Sequence, residues 1–251
     1  MMSVDNETDC VDMSRVTALV LAGGFGTRLR SVISDRPKVL ADVHNRPFIT
    51  YLLDQLVDSG VRNAVLCTGY MADLVENTLG KSYRGMRLRY SCEIEPLGTG
   101  GALRLALSQV DSDLVLAMNG DSYCDADLKT FIEWHTTQDF LGSLLLTNVD
   151  DTGRYGLVRT DETGRVLSFE EKGSVSGPGW INAGIYLLPR ALLAEIALGS
   201  AVSLERDMLP NWIQQSFGGF QSPSRFLDIG LPESYAETEA FFAPMARKAS
   251  A

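Results

Sequence analysis

A glycine-rich loop that follows a short apolar segment constrains the fold of this chain more than any other feature. Residues 16–22 are apolar and partly β-branched, which is typical of a strand buried on both faces. The loop Gly23-Gly24-Phe25-Gly26-Thr27-Arg28 follows directly, and its glycines let a ligand approach the bare backbone. Successive amide N–H groups in such a turn bind anions, and the planar guanidinium of Arg28 matches phosphate oxygens. The sequence therefore predicts a phosphate-binding loop at the end of a buried strand.

Two well-known phosphate loops do not fit these residues. A dinucleotide-binding loop that began at Gly24 would need glycine or alanine in place of Leu29. A P-loop that began at the same glycine would need glycine and lysine in place of Leu29 and Arg30. An ordinary strand-to-helix turn is the alternative that involves no ligand. The loop is therefore either a phosphate-binding loop of another type or a turn that binds no ligand.

Strand-like and helix-like segments alternate along the first 150 residues. Short apolar runs predict strands, and apolar residues at helical spacing predict helices between them. The predicted strands are 16–22, 61–68, 87–92, 114–118 and 141–149. The predicted helices are 47–58, 72–79, 102–109 and 127–138. This order indicates an α/β fold with a Rossmann-like, mostly parallel sheet flanked by helices.

The pattern changes after residue 150. Short apolar segments are now separated by turns, and Asp161-Glu162-Thr163-Gly164 is typical of a hairpin. The predicted strands of this part are 155–160, 166–171, 181–188 and 226–230. We expect a small antiparallel extension that forms the other wall of a cleft. A helix at 232–247 follows the last strand, which carries Asp228.

Composition and charge argue against several classes of protein. A chain of 251 residues with 45% hydrophobic and 22% charged side chains is typical of a single-domain soluble enzyme, expected at 14–251. The net charge of −10 argues against a nucleic acid or an anionic membrane as the partner. Residues 1–13 are acidic and polar, which predicts a disordered tail and is unlike a secretory signal or a membrane anchor.

The cysteines indicate neither a metal site nor a disulfide framework. Cys10, Cys67, Cys92 and Cys124 are scattered and form no C-x-x-C pair, and the chain has two histidines. Zinc sites and disulfide-rich folds need closer and more regular spacing. A reducing cytoplasm is therefore the expected compartment.

A second glycine loop and an aspartate follow two of the later strands. The segment from Glu93 to Leu103 repeats the design of the first loop, and Asn119-Gly120-Asp121 follows the strand at 114–118. Because the carboxyl ends of parallel strands line one crevice, we expect both loops and Asp121 to face it. A carboxylate beside bound phosphates predicts Mg²⁺, which proteins hold with one or two carboxylates. The alternatives without a ligand are a glycine-rich turn and an aspartate that caps a turn.

In this order and spacing the motifs resemble the sugar nucleotidyltransferases, also called nucleoside-diphosphate-sugar pyrophosphorylases. The resemblance spans about residues 15–240. Its motifs are Leu-Ala-Gly-Gly-Phe-Gly-Thr-Arg-Leu at 21–29, Pro37-Lys38, Glu-Pro-Leu-Gly-Thr-Gly-Gly-Ala at 95–102, Asn-Gly-Asp at 119–121, Arg-Tyr-Gly at 154–156, Glu171-Lys172, Asn182-Ala183-Gly184 and Asp228-Ile229-Gly230. The family implies a glycosyltransferase-A-like nucleotidyltransferase fold. Residues 14–150 would mainly bind nucleotide, 151–230 would mainly bind sugar phosphate, and 231–251 would hold the C-terminal helix.

The resemblance implies transfer of a nucleotidyl group from a nucleoside triphosphate to a sugar 1-phosphate, with release of pyrophosphate. In-line attack by a sugar-phosphate oxygen needs alignment and charge neutralisation and no protein nucleophile. The implied catalytic residues are Arg28, Lys38, Asp121, Lys172 and Asp228, of which Asp121 and Asp228 would share Mg²⁺. The implied nucleotide-binding residues are Leu21, Ala22, Gly23, Gly24, Gly26, Thr27, Arg28, Lys38, Glu93, Pro96, Gly98 and Thr99. The implied sugar-phosphate-binding residues are Asn119, Gly120, Gly156, Glu171, Lys172 and Asn182.

The base is predicted from Glu93, which stands where pyrimidine-using relatives of this kind often carry glutamine. A carboxylate only accepts hydrogen bonds, and guanine offers two adjacent donors, N1–H and N2–H. GTP is therefore the predicted nucleotide. Reading of the base by Glu95 or by backbone groups is the alternative.

The acceptor sugar is predicted from finer details of the resemblance. The segments 95–102 and 203–207 and the short carboxyl end are most similar to members that use D-glycero-α-D-manno-heptose 1-phosphate. Mannose 1-phosphate with GTP, and glucose 1-phosphate with a uridylyl or thymidylyl donor, are the alternatives. A protein that binds nucleotide sugars as a sensor and has no catalytic activity is an alternative from a different functional class. The sequence does not decide whether the protein forms a homodimer.

Overall fold

The computed structural model describes residues 12–29, 31–170 and 176–249. The strands in these residues are β1 (Val16–Leu21), β2 (Asp42–Val43), β3 (Arg46–Pro47), β4 (Asn63–Thr68), β5 (Ser82–Tyr83), β6 (Met86–Cys92), β7 (Leu114–Asn119), β8 (Ser122–Cys124), β9 (Gly142–Val149), β10 (Leu157–Thr160), β11 (Val166–Glu170), β12 (Gly179–Pro189), β13 (Phe217–Gln221) and β14 (Phe226–Asp228). The α-helices are α1 (Ile49–Asp58), α2 (Ala72–Leu79), α3 (Gly98–Ala106), α4 (Leu128–Thr136), α5 (Arg190–Ala194), α6 (Leu209–Ile213), α7 (Pro232–Ala236) and α8 (Thr238–Ala249).

A parallel set of strands forms the centre of the sheet, as the sequence predicts. β1 lies between β4 and β7 and runs parallel to both, and β6 lies parallel to β4 on its far side. Leu21 is paired with Cys67 on one side and with Asn119 on the other. The carboxyl ends of β1, β4 and β7 therefore meet at one edge of the sheet. The α/β fold with a mostly parallel sheet is confirmed.

The antiparallel strands join this same sheet. β12 runs antiparallel to β7 along Ile185–Pro189, and it also pairs antiparallel with β9 and β10. β10 and β11 form the predicted hairpin, where Gly164 has a φ of 84°. The predicted extension is therefore present and larger than expected, because the eleven-residue strand β12 continues the central sheet.

Two apolar clusters cover the two faces of the sheet. Alternate residues of β1 point to opposite clusters, since Ala18 and Val20 belong to one and Leu19 to the other. The first cluster includes side chains of α1, α2, α4 and α8, and the second includes side chains of α3, α5 and α6. Met13 lies in the first cluster, so packing begins one residue before the predicted domain start. The other predicted tail residues up to 11 lie outside the described part.

Several element boundaries differ from the sequence prediction. Helix α3 begins at Gly98 and not at 102, because the segment 200–202 packs against its first turn. A Cβ at Gly101 would lie 2.3 Å from the carbonyl oxygen of Ser200, so a larger residue does not fit there. The N–H of Gly100 donates to the carbonyl of Val202 at 2.8 Å. Gly100 and Gly101 therefore pack against the segment 200–202.

Residues 190–221 contain elements that the sequence analysis did not predict. They are α5, a π-helical turn at Leu204–Met208, α6 and β13, which runs parallel to β9. The helices in this part are five residues long, which is too short to show a helical period. The predicted helix at 232–247 is divided into α7 and α8.

His135 is a buried histidine in α4 whose environment predicts a pH effect on stability. Its Nδ1 lies 2.8 Å from the hydroxyl of Ser143, and burial lowers its pKa below the usual 6.5. A lowered folded-state pKa gives stability that is present above about pH 6.5 and is lost as the pH falls. We expect urea unfolding to show a larger loss of stability from pH 7.5 to 5.5 in the wild type than in His135→Gln. An equal loss in both proteins would show that His135 does not contribute.

Candidate active site

A cavity of about 320 Å³ lies where the carboxyl ends of the parallel strands meet. We call it the first cavity. It is lined by Leu21, Ala22, Gly23, Gly24, Phe25, Gly26, Lys38, Val39, Cys67, Glu93, Pro96, Gly98, Thr99, Ala102, Asn119 and Asp121. Both glycine loops open into it, as the order of the strands predicts. Phe25, Val39, Cys67 and Ala102 also line it, although they are not among the predicted nucleotide-binding residues.

The first glycine loop is shaped by what packs against it. A Cβ at Gly23 would lie 2.9 Å from the carboxylate of Glu93 and 3.2 Å from the amide nitrogen of Gly69. Gly26 has a φ of 57°, which favours glycine, and the chain then turns so that Leu29 is buried. Leu29 donates its N–H to the carbonyl of Gly26 at 3.0 Å. The loop therefore folds back on the core after Gly26.

That turn places Thr27 and Arg28 outside the first cavity. Both residues are exposed, and neither is among the residues that line the cavity. Because Leu29 points into the core, the two residues before it face outwards. The predicted phosphate contacts of Thr27 and Arg28 therefore remain predictions.

Glu93 anchors the second loop inside the first cavity. Its Oε2 accepts the N–H of Leu97 at 3.0 Å, and its side chain packs beside Gly23 and Gly69. A carboxylate oxygen has more than one lone pair, so this contact leaves acceptor capacity on both oxygens. Glu93 thus joins the two loops and also presents a carboxylate to the cavity.

A second cavity, of about 400 Å³, adjoins the first. It is lined by Asn119, Asp121, Ser122, Tyr155, Gly156, Phe169, Asn182, Ala183, Gly184, Tyr186, Ser203, Glu205, Arg206, Phe226 and Asp228. Asn119 and Asp121 line both cavities, so a ligand in one would lie next to a ligand in the other. The hairpin region and β12 form the far wall, as predicted.

Asp121 and Asp228 come together although they lie far apart in the chain. β8 and β14 pair antiparallel with Ser122 opposite Asp228, and Ile229 donates its N–H to the carbonyl of Asp121 at 3.0 Å. The carboxylate of Asp228 accepts the N–H of Gly230 at 2.6 Å. Both aspartates line the second cavity. The structure thus brings the two predicted metal ligands to one place.

Lys38 is placed beside Asp121. Pro37 is extended, with a ψ of 146°, and a short helical turn begins at Lys38. The ammonium group of Lys38 forms a salt bridge with the Asp121 carboxylate, and the lysine side chain is 15% exposed. Of the predicted cations that the structure describes, Lys38 is therefore the one at the junction of the two cavities.

The donor set around Asp121 fits Mg²⁺. Two carboxylates that face one cavity, with room for ligand phosphates and water, match the way proteins hold this hard cation. Within the described residues, no group of three or more histidine, cysteine or acidic side chains is arranged so that it could hold a metal ion by itself. Glu205 adds a third carboxylate to the second cavity, where Arg206 is the cation among its described lining residues. An anionic ligand there would need additional positive charge.

The remaining predicted residues fall into three groups. Asn182 and Gly156 line the second cavity. Gly120 lines neither cavity, because it packs under β1, where its N–H donates to the carbonyl of Leu21 at 2.9 Å. Glu171 and Lys172 lie outside the described residues.

Residues 203–206 are the main part of the site that sequence analysis did not place. Ser203, Glu205 and Arg206 line the second cavity from the π-helical turn at Leu204–Met208. The hydroxyl of Ser203 accepts the N–H of Arg206 at 3.3 Å, so serine caps this turn. The resemblance of the segment 203–207 to heptose-using members was the available signal, but it does not show which cavity the turn faces.

The thiol of Cys67 faces the first cavity and is poorly suited to nucleophilic chemistry. Burial raises its pKa to about 12, and the Glu93 carboxylate adds to the shift. A thiol with a raised pKa carries little thiolate at neutral pH. The site therefore favours chemistry without a cysteine nucleophile.

None of the helices in residues 12–29, 31–170 and 176–249 has the length and apolar character that a membrane span requires.

Known proteins match nearly the whole chain. The nucleotidyl transferase family model matches residues 17–243. D-glycero-alpha-D-manno-heptose 1-phosphate guanylyltransferase of Aneurinibacillus thermoaerophilus is 38% identical over 88% of this chain and 96% of its own length. The mannose-1-phosphate guanylyltransferase of Mycobacterium tuberculosis is 33% identical over 90% of this chain and 64% of its own length.

A solved structure agrees with these matches. The crystal structure of HddC from Yersinia pseudotuberculosis has a TM-score of 0.80 and 36% identity, and the match covers 90% of this chain and 99% of HddC. The family match and the solved structure agree with the fold. The chain belongs to the nucleotidyl transferase family.

Proposed function

We propose that this protein transfers GMP from GTP to D-glycero-α-D-manno-heptose 1-phosphate and releases pyrophosphate. Two relatives named for this reaction, from Aneurinibacillus thermoaerophilus and Campylobacter jejuni, are 38% and 34% identical, each matched over 96% of its length. HddC from Yersinia pseudotuberculosis, 35% identical, was crystallised in complex with GMP-PN. The observation that carries the proposal is the placing of Lys38, Asp121 and Asp228 where the two cavities adjoin.

The two cavities suit two anionic substrates that must meet end to end. The first cavity would take the nucleotide against the glycine loops, and the second would take the sugar 1-phosphate. Asn119 and Asp121 line both cavities, so the reacting phosphates would lie at that junction. Such alignment accounts for much of the rate in a transfer that uses no protein nucleophile.

The residues at the junction would neutralise the charge of the reacting phosphates. Lys38 now pairs with Asp121 and would reach the α-phosphate from the same position. Asp121 and Asp228 would hold Mg²⁺, which supplies positive charge to both phosphates when it is bound. Arg28 would hold the leaving pyrophosphate, and Glu171 and Lys172 would bind the sugar hydroxyls and phosphate. The division into a nucleotide half and a sugar-phosphate half and the cytoplasmic location are further parts of the proposal.

Glu93 would read guanine in the first cavity. Its carboxylate can accept both N1–H and N2–H, whereas a pyrimidine would turn oxygen acceptors towards it. A mismatch of this kind costs about 1–3 kcal/mol because a buried polar group is left without a partner.

Glu93→Gln tests this reading of the base. Glutamine keeps an oxygen for the N–H of Leu97, but its amide group turns donors towards the guanine donors. We expect kcat/KM for GTP to fall at least about tenfold. We expect the value for UTP to change less. Glu95→Gln, a matched change at an exposed neighbour, should leave both values unaltered. Equal losses with GTP and UTP would show that the base is read elsewhere.

Mannose 1-phosphate is the second candidate for the acceptor. Relatives named mannose-1-phosphate guanylyltransferase are 33% identical, as in Mycobacterium tuberculosis, and this chain spans 64% of that enzyme. The heptose enzymes match over nearly their full length, which favours heptose. Both sugars have the manno ring, so the choice depends on side chains around the exocyclic group.

Pyrophosphate release tests the proposed function directly. The purified protein is assayed with Mg²⁺, each of GTP, ATP, UTP and dTTP, and each of heptose, mannose and glucose 1-phosphate. We expect the highest kcat/KM for GTP with D-glycero-α-D-manno-heptose 1-phosphate. Turnover with UTP or dTTP in place of GTP would contradict the prediction that guanine is the base. A preference for mannose 1-phosphate would contradict the proposal that heptose 1-phosphate is the acceptor.

A further inference from the structure

Glu205 receives hydrogen bonds from three hydroxyl groups at the boundary of the two cavities. Its Oε2 accepts the hydroxyl of Thr99 at 2.8 Å and that of Ser203 at 3.1 Å, and its Oε1 accepts the hydroxyl of Tyr186 at 3.0 Å. The carboxylate is partly buried and lies in the lining of the second cavity. The roles assigned above to the phosphates, the metal and the base do not use it.

The hydrogen-bond partners of Glu205 connect it to both cavities. Thr99 belongs to the second glycine loop and lines the first cavity, where its hydroxyl also accepts the N–H of Leu204 at 2.7 Å. Tyr186 is fully buried in β12, and its hydroxyl accepts the side-chain amide of Asn182 at 2.8 Å. Asn182 lines the second cavity. One hydrogen-bonded chain thus runs from Thr99 through Glu205 and Tyr186 to Asn182.

The charge of Glu205 fixes the direction of every bond in this chain. A carboxylate has no proton to donate, so the hydroxyls of Thr99, Ser203 and Tyr186 all donate to it. The hydroxyl of Tyr186 must then accept the Asn182 amide, which turns the Asn182 oxygen towards the N–H of Gly184 at 2.9 Å. Burial and the nearby carboxylate raise the pKa of Tyr186 well above its usual value, so its hydroxyl keeps its proton.

The network also supports an irregular part of β12. The pairing of β12 with β9 is interrupted between Asn182 and Tyr186. Gly184 within this stretch has a φ of 73° and packs closely on Asn119. The bulged backbone is what turns Asn182 towards the second cavity, and the bond to Tyr186 holds its side chain there.

We propose that Glu205 is a positioning residue that couples the nucleotide-facing loop to the sugar-facing strand. This role rests on the proposed guanylyl transfer. Through Thr99 the carboxylate sets the position of the loop against the nucleotide, and through Tyr186 it sets Asn182 against the sugar phosphate. Glu205 thereby fixes the positions of the two substrates relative to each other, and in-line attack requires such alignment.

Three single variants separate the two branches of the network, of which one runs from Glu205 to Thr99 and the other from Glu205 through Tyr186 to Asn182. Tyr186→Phe removes the link to Asn182 and is expected to raise KM for the sugar 1-phosphate about tenfold, with KM for GTP changed less than about twofold. Thr99→Val removes the link to the loop and is expected to show the reverse pattern. Glu205→Gln disturbs both branches, because an amide must donate where the carboxylate accepts, and is expected to raise both KM values and to lower kcat.

A double variant and a matched control complete the test. Since Glu205 acts on the sugar through Tyr186, the double variant Glu205→Gln with Tyr186→Phe should not exceed the larger single effect on the sugar KM. Asp207→Asn changes a carboxylate on the same turn that accepts the N–H of Ser203 at 2.7 Å and lines neither cavity. It should leave kcat and both KM values unchanged.

The outcomes distinguish this proposal from the proposed function. A wild-type protein without guanylyl transfer would contradict the function itself. An active wild type in which Glu205→Gln resembles Asp207→Asn, or in which it lowers the melting temperature without changing either KM, would overturn the coupling role alone. If Glu205→Gln does not fold, the opposite KM patterns of Tyr186→Phe and Thr99→Val decide, and identical patterns would overturn the proposal.

Discussion

Asp121→Asn is expected to lower kcat by about a thousandfold with little loss of folded protein. Asp121 lines both cavities, Asp228 lines the second, and asparagine is a neutral and weaker ligand for Mg²⁺. Loss of metal-based charge stabilisation costs several kcal/mol in the transition state, and each 1.36 kcal/mol is a factor of ten in rate. The measurement is steady-state turnover at saturating substrates over a series of Mg²⁺ concentrations.

Asp113→Asn is the matched control for this variant. Asp113 precedes β7 and Asp121 follows it, so the two aspartates lie at opposite ends of one strand, and the Asp113 side chain is 98% exposed. The control should retain wild-type turnover and Mg²⁺ dependence. Asp121→Asn also removes the salt bridge to Lys38, and a partly exposed pair of this kind contributes about 1 kcal/mol or less to folding. Wild-type turnover in Asp121→Asn would remove this residue from the metal site.

Phe242→Ala is expected to lower the free energy of unfolding by about 3–5 kcal/mol. Phe242 of α8 is fully buried. The centroid of its ring lies 3.9 Å from the ring centroid of Tyr51 and 5.0 Å from that of Tyr123. Truncation leaves a cavity that these rings can fill only in part. Urea unfolding followed by tryptophan fluorescence measures the loss.

Leu198→Ala provides the control for the loss of apolar side-chain volume. Leu198 is 65% exposed, so its truncation should change the free energy of unfolding by less than about 0.5 kcal/mol. Because Tyr123 lies in β8, which pairs with the strand of Asp228, the packing of α8 also supports the carboxylate site. A loss below about 1 kcal/mol in Phe242→Ala would contradict the packing described for α8.

The centre of the fold could be predicted because its strands carry their own signal. Residues 16–22 and 114–118 are predominantly apolar, and parallel strands with helices between them allow few arrangements. The same regularity placed both glycine loops and Asp121 at one edge. A local pattern is sufficient where the element is long and its neighbours follow in order.

The parts that were missed depend on contacts between distant residues. Gly101 looks like part of a ligand-binding loop in the sequence, but the backbone of Ser200 explains why glycine is needed there. Glu205 faces the cavity because a short turn docks on Thr99, more than one hundred residues away. No local pattern carries that information.

Arg28 follows a loop whose position agrees with the motif, and its contact with phosphate stays a prediction. The loop before it has the predicted glycines, and its position at the end of β1 is as expected. The direction of the arginine, however, is set by the burial of Leu29, which the motif does not reveal.

Isotope exchange between pyrophosphate and GTP tests the central claim most directly, which is that two bound anions react with each other and no guanylyl-enzyme forms. Radiolabelled pyrophosphate is incubated with GTP, Mg²⁺ and the enzyme, first without and then with the sugar 1-phosphate. We expect no label in GTP until the sugar 1-phosphate is added, because the α-phosphorus has no other acceptor. Label in GTP without the sugar 1-phosphate would reveal a covalent intermediate and contradict the account.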